Sequence, residues 1–190
     1  METKTAKQIS IENATNILLI AIGEDHKRPG LIETPKRVAK AWMEMTSGYG
    51  KNSKEILKCF EDGAENYDSM ILVKDLPIYS FCEHHALPWF GTVTIGYIPN
   101  GKILGLSKFS RLVDIYAKRL QVQERLTSQV ADALFENLNP IGVGVVVKAR
   151  HLCMEMRGIR QQGHHTVTQC LKGAMMDDAM VRNEFLSLAR

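Results

Sequence analysis

A change of hydrophobic period along this 190-residue chain restricts its fold more than any other feature. After Pro88 the apolar residues alternate, with Val93, Ile95 and Tyr97 on one face, the two-residue period of a half-buried strand. From Ser107 the period becomes helical: Phe109, Leu112, Val113 and Tyr116 share one side. A further helix is expected from about Gln121 to Asn137, stopped by Asn139-Pro140. Gly142 to Lys148 is a β-branched run, a buried strand that can continue through Arg157, and Thr166-Val167-Thr168 suggests another. Met70 to Val73 adds an earlier strand. Strands, then two helices, then strands give an α+β fold built on antiparallel pairs. A four-stranded sheet of this kind leaves edges that invite pairing with other subunits.

Helical signals precede the strands. Ile11, Ala14, Ile17, Leu18 and Ala21 recur at helical spacing with Ser10 as the expected cap, and His26-Lys27-Arg28-Pro29-Gly30 breaks that helix. Thr34 as N-cap, Pro35 at the first helical position and Gly48 past the end bound a second helix, whose apolar stripe is Val38, Ala39, Trp42 and Met45. Between about Lys51 and Asp75 the signals are mixed, with a short helix expected around Ile56, Leu57 and Phe60. Asn100-Gly101 signals a hairpin into Lys102–Leu106. Ser107 is expected to cap the helix that follows, and the tail from about Asp177 to form a helix with Val181, Phe185 and Leu188 inward. The expected organisation is an N-terminal helical region, 1–70, and a sheet-bearing domain, 71–190, in one compact unit.

With 45% apolar residues a core can form, which argues against general disorder. The net charge of +3 is mild and the basic residues are scattered, so nucleic acid is not an expected partner. The longest apolar run, Ile17 to Ile22, is too short to cross a bilayer, and acidic residues such as Glu12 precede it, so neither a membrane span nor a secretory signal is expected. The four cysteines then read as thiols in a reducing, cytoplasmic setting, where metal binding is open to them.

Cys82-Glu83-His84-His85 carries the clearest chemistry. Thiolate and imidazole are preferred zinc ligands, and a turn can aim Cys82 and His85 at one ion. Cys153, in His151-Leu152-Cys153, is the obvious third ligand. On a strand continuing through 157, His151, Cys153, Glu155 and Arg157 would share a face. Three ligands with an open fourth position is the arrangement of a catalytic zinc, and His84 and His151 beside it would suit proton transfer. A lone Cys-x-x-His is also compatible with no metal, and Cys153 with a buried apolar thiol. Cys59 and Cys170 are assigned to that second role. Ser107, Lys108 and Arg111 around a helix start suit a phosphate, or are a capped helix with solvated bases. The carboxylate in Gln121-Val122-Gln123-Glu124-Arg125 could accept two N–H bonds from a guanine edge, or be a solvated helix start. Arg37 and Arg157 would each, taken alone, be surface charge.

Five stretches carry a resemblance: Glu33-Thr34-Pro35-Lys36-Arg37-Val38-Ala39, Phe81-Cys82-Glu83-His84-His85, Gly105-Leu106-Ser107-Lys108, Gln121-Val122-Gln123-Glu124-Arg125-Leu126-Thr127 and His151-Leu152-Cys153-Met154. In this order and spacing the chain resembles the GTP cyclohydrolase I family over essentially its whole length. The resemblance implies a tunnelling fold: an antiparallel sheet with paired helices on one face and an N-terminal helical appendage, sheets joining into an oligomeric barrel. It implies a homo-oligomer, usually a decamer, with active sites shared between neighbours. The implied reaction turns GTP and water into dihydroneopterin triphosphate and formate. Cys82, His85 and Cys153 would hold Zn2+, and His84 and His151 would move protons. Glu124, with Gln123 nearby, would recognise guanine. Ser107, Lys108, Arg111, Arg157 and Arg37 would contact ribose and triphosphate. Rival functions are a nitrile reductase of similar fold, a cyclohydrolase with another product, and a non-catalytic zinc-stabilised oligomer that binds GTP. The chain departs from the family at Arg160-Gln161-Gln162-Gly163-His164-His165, where a small, Ser-containing stretch is usual, and at Ala86, where a larger aliphatic is usual. His164 and His165 are expected at the surface, with a second metal-touching pair as the alternative.

Overall fold

The computed structural model describes residues 4–60, without the Phe60 side chain, and 67–190. The expectations that touch Met1-Glu2-Thr3, residues 61–66 and the Phe60 side chain therefore lie outside the described residues. The chain divides into two compact units, Met1–Ser47 and Gly48–Arg190. No described helix is long and apolar enough to cross a membrane.

The first unit holds α1 (Ala6–Ala21) and α2 (Thr34–Met45). The cap of α1 is Thr5, whose hydroxyl accepts from the Gln8 N–H, while Ser10 sits inside the helix and donates to the Ala6 carbonyl. The capping residue of α2 is Glu33, so Thr34 and Pro35 both lie in its first turn. Both helices therefore start earlier than the strongest capping side chain suggested. Much of the expected apolar face of α1 is uncovered: Ile17 and Leu18 are 68% and 59% exposed.

The second unit is built on a five-stranded sheet. Its strands are β2 (Ile71–Cys82), β3 (Pro88–Ile98), β5 (Leu120–Gln121), β6 (Gly142–His151) and β7 (Thr166–Gly173), in the spatial order β5-β2-β3-β6-β7. All neighbours are antiparallel except β5, which joins β2 in parallel and makes the sheet mixed. A separate two-stranded ladder joins β1 (Cys59–Phe60) to β4 (Ile103–Leu104).

That ladder replaces two sequence expectations. A single 3-10 turn, Ser53–Glu55, stands where a short helix was expected, and Cys59–Phe60 is extended. The Asn100-Gly101 turn forms, with Gly101 at φ 69°, but it does not return the chain onto β3. Both edges of β3 are already taken, by β2 and by β6, so β4 has no free edge of β3 to join. The Leu104 N–H instead donates to the Tyr97 hydroxyl at 3.0 Å.

On one face of the sheet Val93, Ile95 and Tyr97 stand opposite Val147, Val145 and Val143. They join one buried core with Phe109, Leu112 and Val113 of α3 (Ser107–Ala117) and Leu126, Val130 and Leu134 of α4 (Gln123–Leu138). Burying large aliphatic side chains contributes about 1.5–3 kcal/mol each, so this face dominates the unit's stability. Ser107 is the first helical residue of α3 and makes no capping bond; the residue before it, Leu106, is already helical. On the opposite face, α6 (Ala174–Asp177) and α7 (Ala179–Leu188) cover one end. The fully buried Phe185 ring lies over Gly96 and Gly144, which face each other across β3 and β6. A Cβ on Gly144 would approach that ring to 2.5 Å. Leu188, expected inward, is exposed.

Candidate functional site

The end of the sheet where β2 stops and β3 begins carries the chemistry. Ile78, Ser80 and Cys82 alternate inward along β2, which leaves Cys82 buried at its end. Residues 83–87 make a tight return in which the Ala86 N–H donates to the Cys82 carbonyl at 2.8 Å. Ala86 closes it with a left-handed φ of 52°, a conformation that strains a residue with a Cβ. The return folds His85 back over Cys82, placing Nδ1 3.6 Å from the thiol sulfur. His84 Nδ1 lies 3.8 Å from the same sulfur. The Glu83 carboxylate points away and takes a forked pair of bonds from Arg125 at 2.6 and 2.8 Å, which holds it below the usual carboxylate range.

Across the sheet, β6 ends at His151, opposite Trp89 of β3. Here the chain departs from the sequence expectation. The strand does not continue to Arg157: Leu152–Glu155 form one helical turn, α5. The reason is an ion pair between residues five apart. Arg150 forks onto Glu155 at 2.9 and 2.5 Å, and Glu155 is only 6% exposed. In an extended strand these residues would lie about 16 Å apart on opposite faces, so the fork requires the chain to turn. That turn, not strand alternation, brings Cys153 to Cys82. One donor atom each from Cys82, His85 and Cys153 then lie within 4.8 Å of one another. Two thiols and an imidazole are a donor set that fits a borderline-soft metal such as zinc. Burial, and then Cys82 beside it, push the Cys153 thiol upward, and a bound cation reverses that by deprotonating it. Glu155→Gln removes the charge that holds the turn and should weaken metal binding about tenfold, the lower end for a supporting residue. Competition against a chelator measures it; an unchanged affinity would show that the fork does not hold Cys153.

The start of α4 completes the site. Pairing of β5 with the end of β2 brings Val122, Gln123 and Glu124 beside the cluster. A cavity of about 230 Å3 is lined here by Cys82, His84, His85, Gln123, Glu124, His151 and Cys153, among others. The Glu124 carboxylate is exposed to it, with no hydrogen bond or ion pair among the described residues. Gln123 is 1% exposed and is spent on the protein: its amide nitrogen donates toward the Val147 and Thr166 carbonyls, both at 3.0 Å. Its oxygen faces His151 Nε2 at 2.8 Å. The His151 ring stacks on Trp89, with centroids 5.2 Å apart and planes at 17°. Burial pushes the His151 imidazolium below the usual histidine range, against an opposite pull from Glu124.

The other expected residues are distributed. Arg157 reaches the cluster and donates to His85 Nε2 at 2.6 Å. Ser107, Lys108 and Arg111 start α3 and do not line the cavity. The α3 C-terminus is the end that meets the site, since the Ser80 hydroxyl donates to the Ala117 carbonyl at 2.7 Å. An eleven-residue helix carries its start about 16 Å away. Arg37 is an exposed residue of α2 in the first unit. Trp89 and Arg125 are the supporting residues that sequence reasoning missed. Trp89 follows Pro88 at the strand start, and Arg125 lies inside a stretch already noted, but neither has a local signal of its partner. His165 is exposed, as expected; both ring nitrogens of His164 are buried without a partner among the described residues.

Comparison with known proteins bears on this site. A family model described as GTP cyclohydrolase I matches residues 11–190. A protein of Janthinobacterium sp. (strain Marseille) named GTP cyclohydrolase 1 is 61% identical over 91% of this chain and 87% of its own length. One of Nitrosospira multiformis with the same name is 54% identical, over 90% of each chain. A solved structure titled as the apo archaeosine synthase QueF-Like superposes with a TM-score of 0.45 at 22% identity, over 55% of this chain and 94% of that one.

Proposed function

The chain belongs to the GTP cyclohydrolase I family, and we propose on that footing that it opens the imidazole ring of GTP and rearranges the product to 7,8-dihydroneopterin triphosphate, releasing formate. The observation that carries the reading within the structure is the convergence of a Cys-His-Cys donor set, two further histidines and a carboxylate without a partner among the described residues on one cavity. Cys82, His85 and Cys153 would hold Zn2+, which when bound supplies Lewis acidity for hydrolysis at the guanine C8. Glu124 accepts the N–H donors of the guanine edge and so fixes the base. His151 gives a proton to N7 as the bond to C8 breaks. His84, on the return beside Cys82 and lining the same cavity, moves protons at the ribose during its opening and rearrangement. Arg157 lies beside the cluster, where it can meet anionic parts of the substrate.

Ser107, Lys108 and Arg111 are the remaining anion-binding candidates. Their distance from the cavity within one chain supports a site shared between subunits, in which a neighbour's α3 start binds the triphosphate. Arg37 would join that set. The binding energy of the triphosphate then orients the base without taking part in bond changes. The sheet supports such an assembly: among the described residues β7 pairs only on its β6 side, and β5 covers only two residues of β2. Edges of this kind add strands from another copy. We accordingly read the tunnelling barrel, a decameric state and a cytoplasmic setting as parts of the same proposal.

The test is formate release from GTP by the zinc-loaded protein, with the pterin product followed by fluorescence after oxidation. Glu124→Gln should lower kcat/KM by at least about 100-fold, because the N–H donor pair of the bound base loses its charged acceptor. Zinc-loaded wild type that releases no formate would sink the proposal.

A further inference from the structure

Hydrogen-bond accounting around Gln123 decides which nitrogen of His151 carries the proton. A carbonyl oxygen can only accept. The Val147 and Thr166 carbonyls both lie 3.0 Å from one end of the Gln123 amide, so that end must be the NH2. The third neighbour there agrees. Thr127 spends its hydroxyl hydrogen on the Gln123 backbone carbonyl at 2.7 Å, so Thr168 donates to Thr127 and keeps lone pairs toward the amide, 3.1 Å away. Turning the amide over would set its oxygen against two carbonyl oxygens in a buried site. The Gln123 oxygen therefore faces His151, and a hydrogen bond at 2.8 Å between it and Nε2 requires an Nε2–H. Stacking on the buried Trp89 fixes the plane of the ring. Nδ1 has no partner among the described residues and is not among the buried unpaired atoms, so it is the ring nitrogen open to the cavity that His151 lines.

We propose that Gln123 is a positioning residue that locks His151 in the Nε2–H tautomer, so that Nδ1 is the nitrogen that exchanges protons with the substrate. The inference rests on the cyclohydrolase reading for its substrate but not for its geometry. In the neutral ring Nδ1 presents a lone pair, and in the charged ring it presents the proton that leaves. Either way Nε2 keeps its hydrogen throughout a turnover, and the ring has no reason to rotate. Among the described residues no amide holds His84 in this way; its ring is exposed, with Nδ1 3.8 Å from the Cys82 sulfur.

Neutron diffraction from zinc-loaded crystals at about pH 8, above the ordinary histidine range, reads the tautomer directly. The expected result is a deuteron on His151 Nε2 and none on Nδ1; a deuteron on Nδ1 with a bare Nε2 overturns the inference. Gln123→Met keeps the volume and removes the lock. It should lower kcat on the order of 100-fold, the lower end for a mispositioned acid–base group, with zinc content and KM close to wild type. An unchanged kcat, or a loss confined to KM or to zinc content, overturns the positioning role. Should the variant fail to fold, the wild-type neutron result still decides the tautomer. Should wild type release no formate, the substrate reading falls while the nuclear density stands.

Discussion

Cys153→Ala should lose bound metal and formate release together, by more than the 10–100-fold typical of a supporting residue around a metal. The reason lies in the donor geometry. Cys82 and His85 belong to one short return, and only Cys153 closes the triangle from across the sheet. Without it the two remaining ligands leave half of a tetrahedral site to solvent. His151→Ala should separate the two properties, keeping the metal while losing about 10²–10⁴-fold in rate. Metal analysis beside the formate assay distinguishes these cases. A Cys153→Ala protein that retains one tightly held metal per chain would show that the ligand set is drawn wrongly, whatever its activity.

Gly91→Ala should be the most damaging single-methyl change in the sheet. Gly91 lies on β3 opposite Ala149, two residues from the Trp89–His151 pair. A Cβ there would stand 2.0 Å from the Lys148 carbonyl oxygen and 2.6 Å from the Ala149 Cα. Both are backbone atoms of a central strand, so no side chain can swing aside. The cost should be about 3 kcal/mol or more, at or beyond the upper end of overpacking effects. Because β6 must move to relieve it, His151 should shift and activity should fall in the protein that remains folded. Gly101→Ala is the control for steric contact: a Cβ there meets nothing within 4 Å, so its loss should be only about 1–2 kcal/mol, the backbone strain at φ 69°. Denaturant midpoints of the two variants give the comparison. A Gly91→Ala loss below about 1 kcal/mol would mean that β3 and β6 do not approach this closely.

What could be read from the sequence, and what could not, divides along the range of the forces involved. Period-two alternation at Val93, Ile95 and Tyr97 and the stripes of α3 and α4 report burial of one face, and burial is written into neighbouring residues. The core was therefore legible, as was the nearness of the Cys82 and His85 donors, which are three residues apart; Cys153 joins them through the α5 turn and not through the strand alternation expected of it. Pairing partners were not legible. That β4 joins β1 follows from both edges of β3 being occupied, which no local pattern states. The same holds at the site. A β-branched strand running through 157 was the natural extrapolation, and the Arg150–Glu155 fork ended it at His151. Gln123, in the sequence one polar residue at a helix start, met His151 only because β5 carried α4 to the end of β2. The sequence by itself determined the long helices and the main strands, the core face and the identity of the chemical groups, since each depends on local spacing and side-chain chemistry. Only the tertiary structure decided which strand meets which, where β6 stops and which nitrogen of His151 is free, because those depend on ion pairs and hydrogen bonds between residues distant along the chain or turned back on themselves.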